Sequence, residues 1–198
     1  SIGCVSIDPK NPNVVWVGTG ENNNQRSVAY GDGVYKSVDG GASWKNMGLK
    51  SSEHIGNILI HPENSDIVYV SAYGPLWNKG GDRGIYKTID GGKSWNKILF
   101  IDEHTGFNEI HMDPRNPDVL YATSHQRRRH VYTYVGGGPG SGIHKSVDGG
   151  NTWRKINKGL PGVEIGRIGM DISDANPEVI YAIVEASDRK GGFYKSIN

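Results

Sequence analysis

The sequence predicts an all-β fold, a β-propeller of four-stranded antiparallel blades, on the strength of its composition and two recurring patterns. Of its 198 residues, 35% are hydrophobic and 29 are Gly, a composition that favours short strands joined by tight turns. The first pattern is a Ser/Thr-x-Asp-Gly-Gly-x-Ser/Thr-Trp turn at residues 37–44, 88–95 and 146–153. The second is a turn rich in Pro and Asn that precedes each apolar second strand. Patterns that recur at roughly 50-residue intervals are typical of propeller blades.

Each repeat has the same order of elements: inner strand, Pro-Asn turn, second strand, variable loop, third strand, Asp-Gly-Gly turn and outer strand. The Pro-Asn turns are at residues 8–12, 61–64, 113–117 and 174–177, and the third strands at 33–36, 84–87, 142–145 and 192–195. The repeats span about 1–50, 51–102, 103–160 and 161–198 of one propeller domain. Ser196-Ile197-Asn198 resembles the start of a further Asp-Gly-Gly turn. The prediction is therefore three complete blades and a fourth that lacks its outer strand.

The aspartates of the turns are candidates for catalytic acids or calcium ligands, but a structural role is the better interpretation. They recur in every complete repeat, whereas chemistry needs a unique site. An Asp can accept hydrogen bonds from turn N–H groups, the glycines can adopt positive φ, and the Trp can pack between adjacent sheets. The residues assigned to this structural role are Asp39, Trp44, Asp90, Trp95, Asp148 and Trp153.

Several functional classes are disfavoured by composition. The net charge of +1, from 22 basic and 21 acidic residues, argues against general nucleic-acid binding. No apolar run approaches the ~20 residues of a membrane span, and the lone Cys4 rules out an internal disulfide framework. The pairs Glu53-His54 and Glu103-His104 recur at matching positions without metal-ligand spacing. We therefore predict neither a metal nor a cofactor.

The repeated turns resemble the BNR or Asp-box repeats of sialidases, xyloglucanase-type glycosidases and sortilin-like (VPS10) domains. Residues 17–21, 30–37 and 137–142 are similar to large bacterial sortilin-like propeller proteins, often labelled glycosyl hydrolases. The resemblance covers the whole chain but only a minor part of such a protein. It implies an exported protein (periplasmic, cell-surface or extracellular) in which further blades of a larger chain are partners.

Candidate binding residues are placed on the variable loops, which lie on the face opposite the Asp boxes and Pro-Asn turns. These loops differ in length and chemistry, as binding loops usually do. Their aromatic rings and forked Arg donors suit recognition of sugars, peptides or carboxylates. The first candidates are Arg26, Trp77, Arg127 and Tyr132, while the glycine-rich residues 136–142 are expected to be a flexible connection.

Two functions remain open. One is a non-catalytic recognition or assembly module that binds a peptide, glycan or partner protein through the loop rim. The alternative is a glycoside hydrolase with two carboxylates about 5–5.5 or 6.5–9.5 Å apart in a central cleft. Candidate carboxylates are Glu21, Asp32, Glu53, Glu103 and Glu185, with no pair marked out. The Arg-Ile-Pro start typical of sialidases is absent. The recognition or assembly module is the favoured function.

The first and last blades of an unclosed propeller have exposed flanks. We expect these flanks to associate with other copies or to be held by the rest of a larger protein.

Overall fold

A computed structural model describes residues 1–196, and in that range it contains one antiparallel blade sheet per repeat and, in addition, a small two-stranded sheet. Blade 1 consists of β1 (Ile2–Ile7), β2 (Val15–Thr19), β3 (Val34–Ser37) and β4 (Lys45–Asn46). A single 3-10 turn, Lys50–Ser52, leads to blade 2, which consists of β5 (Ile55–Ile60), β6 (Val68–Ala72), β7 (Gly84–Thr88) and β8 (Asn96–Leu99).

Blade 3 begins with β9 (Thr105–Asp113) and β10 (Asn116–Gln126), and its variable loop forms a small hairpin, β11 (Arg128–Arg129) and β12 (Tyr134–Val135). The sheet is completed by β13 (Gly142–Ser146) and β14 (Arg154–Lys155). Blade 4 consists of β15 (Ile165–Ile172), β16 (Ile180–Ala186) and β17 (Gly192–Ser196). The predicted fold class is confirmed: three sheets have four strands and the fourth has three. Ile197 and Asn198, where the predicted fourth box continues, lie outside the described residues.

The core lies between the blades. Apolar side chains of neighbouring sheets meet in three clusters, one at each junction between successive blades. Trp16 and Ile55 belong to the first cluster, Tyr69 and Leu120 to the second, and Ile168 to the third. Because the sheets stack face to face, each blade buries a surface against the blade that follows it.

An aromatic ring on the second strand and a lysine on the third strand recur as a pair in every blade. Lys36 lies 4.8 Å from the Trp16 ring centroid, and Lys87 lies 5.3 Å from that of Tyr69. The ammonium groups of these two lysines also donate to the Asp-box turn of the following blade, Lys36 to the Gly91 carbonyl at 3.2 Å and Lys87 to the Gly149 carbonyl at 2.8 Å. The pairs therefore connect successive blades as well as neighbouring strands.

The inner strands approach one another closely around the propeller axis. The side-chain amide of Asn57 donates to the Ile110 carbonyl at 3.0 Å, and that of Asn108 donates to the Ile168 carbonyl at 2.7 Å. Gly56 permits this approach because a Cβ there would collide with the Asn108 carbonyl.

The two kinds of short turn lie on the same face. The Gly40 amide donates to the Asn13 carbonyl at 2.9 Å, which joins the first Asp box to its Pro-Asn turn. Equivalent bonds from Gly91 to Asp66 and from Gly149 to Asp118 repeat the arrangement. The variable loops and the links between blades are thereby left on the opposite face.

Candidate functional site

The variable loops of blades 1 and 3 contact each other directly. We call the surface formed by residues 20–33, 73–83, 127–141 and 187–191 the loop face. Arg127 Nη1 donates to the Asn23 carbonyl at 3.0 Å and to Asn24 Oδ1 at 2.7 Å. Arg129 Nη2 donates to the Asn24 carbonyl at 2.5 Å, and Arg26 Nη2 donates in the reverse direction to the Val131 carbonyl at 3.2 Å. Charge-assisted bonds of this kind hold the two loops in a defined arrangement.

Arg127 is at the centre of this arrangement and is fully buried. Its guanidinium lies over the Tyr73 ring, 3.4 Å from the centroid, and Nη2 donates to the Gly74 carbonyl at 3.3 Å. The Tyr73 hydroxyl hydrogen-bonds His125 Nδ1. Burial lowers the pKa of His125 to about 3, and the positive charge of Arg127 acts in the same direction. His125 is therefore neutral near pH 7 and serves the packing of the loops.

Arg83 stabilises the variable loop of blade 2 through hydrogen bonds from its buried guanidinium. Its side chain is fully buried and donates only to carbonyls of its own loop: to Tyr73 at 3.0 Å, to Asn78 at 2.7 Å, to Gly80 at 2.8 Å and to Pro75. Burial lowers its pKa to about 10, with contributions from the charges of Arg127 and Arg128. Arg83 is not among the predicted ligand-binding residues, and its buried structural role could not be predicted, because a loop arginine facing inward has no sequence pattern that distinguishes it from a solvated one.

The predicted ligand residues fall into two groups. Tyr132 is 95% exposed, Arg26 is exposed and Trp77 is half-buried. The bond from Arg26 to the Val131 carbonyl brings Arg26 beside the segment that carries Tyr132. Arg127, in contrast, is enclosed beneath the loops and holds them together. The structure thus exposes Arg26, Tyr132 and part of Trp77 to solvent, whereas Arg127 bonds to the loops of blades 1 and 2 that carry Arg26 and Trp77.

Four of the candidate carboxylates are each engaged in a separate local interaction. Glu21 Oε2 accepts from the Ala29 amide at 2.6 Å, Asp32 Oδ2 from the Tyr35 hydroxyl at 2.7 Å, and Glu185 Oε2 from the Arg167 amide at 3.0 Å. Glu103 forms an ion pair with Lys79 at 3.0 Å. Among residues 1–196, these four bonds involve four different partners, so they do not link the carboxylates into a pair.

Glu53 differs from the other candidate carboxylates, because burial raises its pKa despite the opposing charges of Arg83 and Arg127. Its main-chain carbonyl accepts from the Gly31 amide at 2.8 Å, as that of Glu103 does from Gly80. The link residue that follows, His54, is fully buried, and burial lowers its pKa to about 4. Within the described part of the chain, no cluster of three or more His, Cys, Asp or Glu could hold a metal ion.

Residues 136–142, expected to be a flexible connection, are tied down by hydrogen bonds. The Gly138 amide donates to the Ile165 carbonyl at 3.1 Å, and the Gly140 amide donates to Gln126 Oε1 at 3.0 Å. Ser124 Oγ donates to the Gly140 carbonyl at 2.7 Å. The glycines allow this segment to lie close to neighbouring backbone. Composition alone does not distinguish this role of glycine from flexibility.

Comparison with known proteins places this architecture in a family. The family model described as Sortilin-Vps10 (sortilin, neurotensin receptor 3) matches residues 32–195. The chain belongs to the Sortilin-Vps10 family. The sequence-based expectation of a sortilin-like propeller is thereby confirmed. A search of curated proteins by sequence found no match to this family member. None of the segments described for it forms a helix of the length and apolarity needed to cross a bilayer.

Solved structures similar to this Sortilin-Vps10 chain include three GH74 proteins. An ancestral GH74 enzyme is 21% identical with a TM-score of 0.69, covering 100% of this chain and 23% of that one. The GH74 xyloglucanase from Xanthomonas campestris is 14% identical with a TM-score of 0.73, covering 98% and 28%. The GH74 enzyme from Niastella koreensis is 18% identical with a TM-score of 0.65, covering 100% and 30%. The chain therefore spans about a quarter of the length of these proteins and shares their propeller fold.

Proposed function

We propose that this chain is a non-catalytic recognition or assembly module of an exported protein, binding a peptide, glycan or partner protein through the loop face. The observation that carries the proposal is the set of arginine bonds that joins the loops of blades 1 and 3. Loops fixed before binding lose less conformational entropy when a ligand arrives.

The exposed residues on these loops suit such a role. Tyr, Trp and Arg are the residue types most often found at the energetic centres of interfaces. Tyr132 presents nearly its whole side chain to solvent, and Arg26 and Trp77 are accessible on the same face. Arg127 would act as a positioning residue, since its guanidinium is occupied by Asn23, Asn24 and Gly74.

A binding screen tests the proposal. Glycan and peptide arrays are probed with the purified protein and with the variants Tyr132→Ala and Arg26→Glu. We expect each variant to weaken binding of the selected ligand about tenfold or more, while the melting temperature stays nearly unchanged because exposed substitutions usually have little effect on stability. Arg154→Glu, an exposed charge reversal on β14 away from the loop face, serves as the control and should bind normally. A ligand whose binding is unaffected by both loop variants but is lost on substitution of the Pro-Asn turns would contradict the proposal.

A glycoside hydrolase is the second candidate, and the raised pKa of Glu53 favours it. A general acid for glycoside cleavage must be protonated near neutral pH, and burial of Glu53 acts in that direction. Xyloglucan is the first substrate to test, since one structural neighbour is a xyloglucanase. If the protein hydrolyses it and Glu53→Gln abolishes turnover without loss of stability, the hydrolase replaces the recognition module. If the parent protein hydrolyses xyloglucan no faster than Glu53→Gln does, the result supports the recognition module.

A further inference from the structure

Arginines without carboxylate partners are concentrated in the loops of blades 2 and 3. Arg83, Arg127, Arg128 and Arg129 have no carboxylate within ion-pair distance among the described residues, although Arg83 and Arg127 are fully buried. Removing a charge from water costs several kcal/mol unless other groups compensate. Here the hydrogen bonds of Arg83, Arg127 and Arg129 go to neutral carbonyl and amide oxygens.

Nearby acids do not neutralise this charge. Glu53 and Asp102 raise the pKa of Arg83, but burial together with the charges of Arg127 and Arg128 outweighs them. The pKa of Arg127 is likewise lowered, chiefly by burial. The region therefore retains an excess of positive charge in a setting of low polarity, where attraction to an anion is strongest.

A cavity of about 350 Å³ opens beside two of these arginines, Arg127 and Arg128. It is lined by Lys79, His104, Gln126, Arg127, Arg128, His130 and Val135. Arg128 donates no side-chain hydrogen bond to any described residue, and the Nε atoms of Arg127 and Arg128 are both buried without a hydrogen-bond partner in that part of the chain. The lining has three cationic side chains and no carboxylate. Lys79 is paired with Glu103 outside the lining at 3.0 Å, so the uncompensated charge is that of Arg127 and Arg128.

We propose that this cavity binds a tetrahedral oxyanion, a sulfate or phosphate group carried on a small organic molecule. The inference rests on the proposed function in that it assigns a ligand class to one part of the loop face. The cationic side chains come from two loops, Lys79 from that of blade 2 and the consecutive Arg127 and Arg128 from that of blade 3. A ligand between the two loops is contacted from both sides, which suits a tetrahedral anion better than a planar carboxylate. Arginine and lysine are the side chains that proteins most often use for phosphate. The remaining volume, beside Val135, accommodates the organic group.

The variant that tests the proposal is Arg128→Gln. Because the Arg128 side chain makes no hydrogen bond within the described structure, its replacement removes charge from the cavity without breaking the loop contacts. Arg154→Gln is the matched control: an exposed arginine on a short strand that does not line this cavity. Melting temperatures of both variants establish that folding is intact.

The measurement is calorimetric titration with inorganic phosphate, inorganic sulfate and acetate, at one pH and at an ionic strength held constant with chloride. We expect the parent protein to bind phosphate and sulfate saturably and to bind acetate at least tenfold more weakly. Arg128→Gln should bind phosphate at least tenfold more weakly than the parent, and Arg154→Gln should bind it as the parent does. Phosphate binding no stronger than that of chloride, equal binding of acetate, or full binding by Arg128→Gln would each overturn the inference.

The same variants separate this inference from the proposed function. If Tyr132→Ala and Arg26→Glu leave array binding unaffected while phosphate binding is lost only in Arg128→Gln, the oxyanion site stands and the loop-rim proposal fails. If the two rim variants lose an array ligand while the parent protein binds no phosphate, the proposed function stands and the oxyanion site fails.

Discussion

One carboxylate organises each Asp-Gly-Gly turn. In the third turn, Asp148 Oδ1 accepts from the Ser146 hydroxyl at 2.7 Å and the Thr152 amide at 2.9 Å, and Oδ2 accepts from the Thr152 hydroxyl at 2.6 Å. These bonds, led by that from the Thr152 hydroxyl, lower the pKa of Asp148 to about 2. Asp39 and Asp90 have the same set of bonds, and the pKa of each is also lowered. The carboxylate is thus held in its ionised form by the turn that it stabilises.

The replacement Asp148→Asn should therefore destabilise the protein at pH 7, and the effect should disappear in acid. A carboxyl whose folded pKa lies below its unfolded value stabilises the fold above the unfolded pKa, about 4, and loses that contribution as the pH falls towards the folded pKa. Urea denaturation at several pH values between 7 and 2 measures the difference. Asp174→Asn, at an exposed position outside the boxes, should show little difference at any pH. A deficit of Asp148→Asn that persists unchanged at pH 2 would contradict this account of the turn.

At the scale of the element, the tryptophans of the boxes are anchored in two ways: Trp95 donates to the preceding blade, whereas Trp44 and Trp153 each donate to a glycine carbonyl of their own turn. Trp95, at the end of the second box, packs edge-on against Trp16 of blade 1, with ring centroids 6.2 Å apart, and donates Nε1–H to the Met47 carbonyl at 2.7 Å. Trp44 occupies the same position in the first box, is 43% exposed and donates to Gly41 of its own turn at 3.0 Å. The same side chain thus joins two blades in one case and covers its own turn in the other.

Replacing Trp95 by Ala should lower the free energy of unfolding by about 3 kcal/mol, as loss of a large packed aromatic does. Trp44→Ala should cost less than about 1 kcal/mol, since it removes a side chain that is already half in water. Chemical denaturation of the two variants beside the parent gives both values. Equal losses would show that the contact between blades contributes nothing beyond the turn itself.

Strands, turns and blade order could be predicted from the sequence because each depends on local patterns. The Asp-Gly-Gly box identifies its turn, and the Pro-Asn segment precedes a second strand in all four repeats. The loop face could not be predicted to the same depth. Arg127 and Asn24 are 103 positions apart, so nothing near either residue indicates that they meet. Arg127 therefore looks like the exposed part of an arginine run in the sequence, whereas it is fully buried in the structure.

At the scale of the whole molecule, the two outer blades expose positions that the inner blades bury. Phe193 on β17 is 66% exposed, whereas Ile143 and Ile85, its counterparts on β13 and β7, are buried. Ile7 on β1 is exposed, while Ile60 at the matching position of β5 is buried. Within residues 1–196, the inner positions are covered by a neighbouring sheet and the outer ones are not. Apolar patches of this kind mark surfaces that pack against another structure.

These flanks predict self-association of the protein in solution. Burial of a side chain the size of Phe193 or Ile7 contributes roughly 1.5–3 kcal/mol. Exposed side chains of this kind are Ile2, Val5 and Ile7 on the first blade and Ile183 and Phe193 on the last, so sheet-to-sheet contacts between copies should form. Size-exclusion chromatography with light scattering should give a mass above that of the monomer, increasing with protein concentration. The double variant Ile7→Lys/Phe193→Lys should shift the distribution towards monomer. Tyr132→Lys, which places a lysine on the loop face at a side chain that is also highly exposed, should not. A parent protein that stays monomeric at high concentration would contradict the prediction, because the exposed flanks would then need no covering partner.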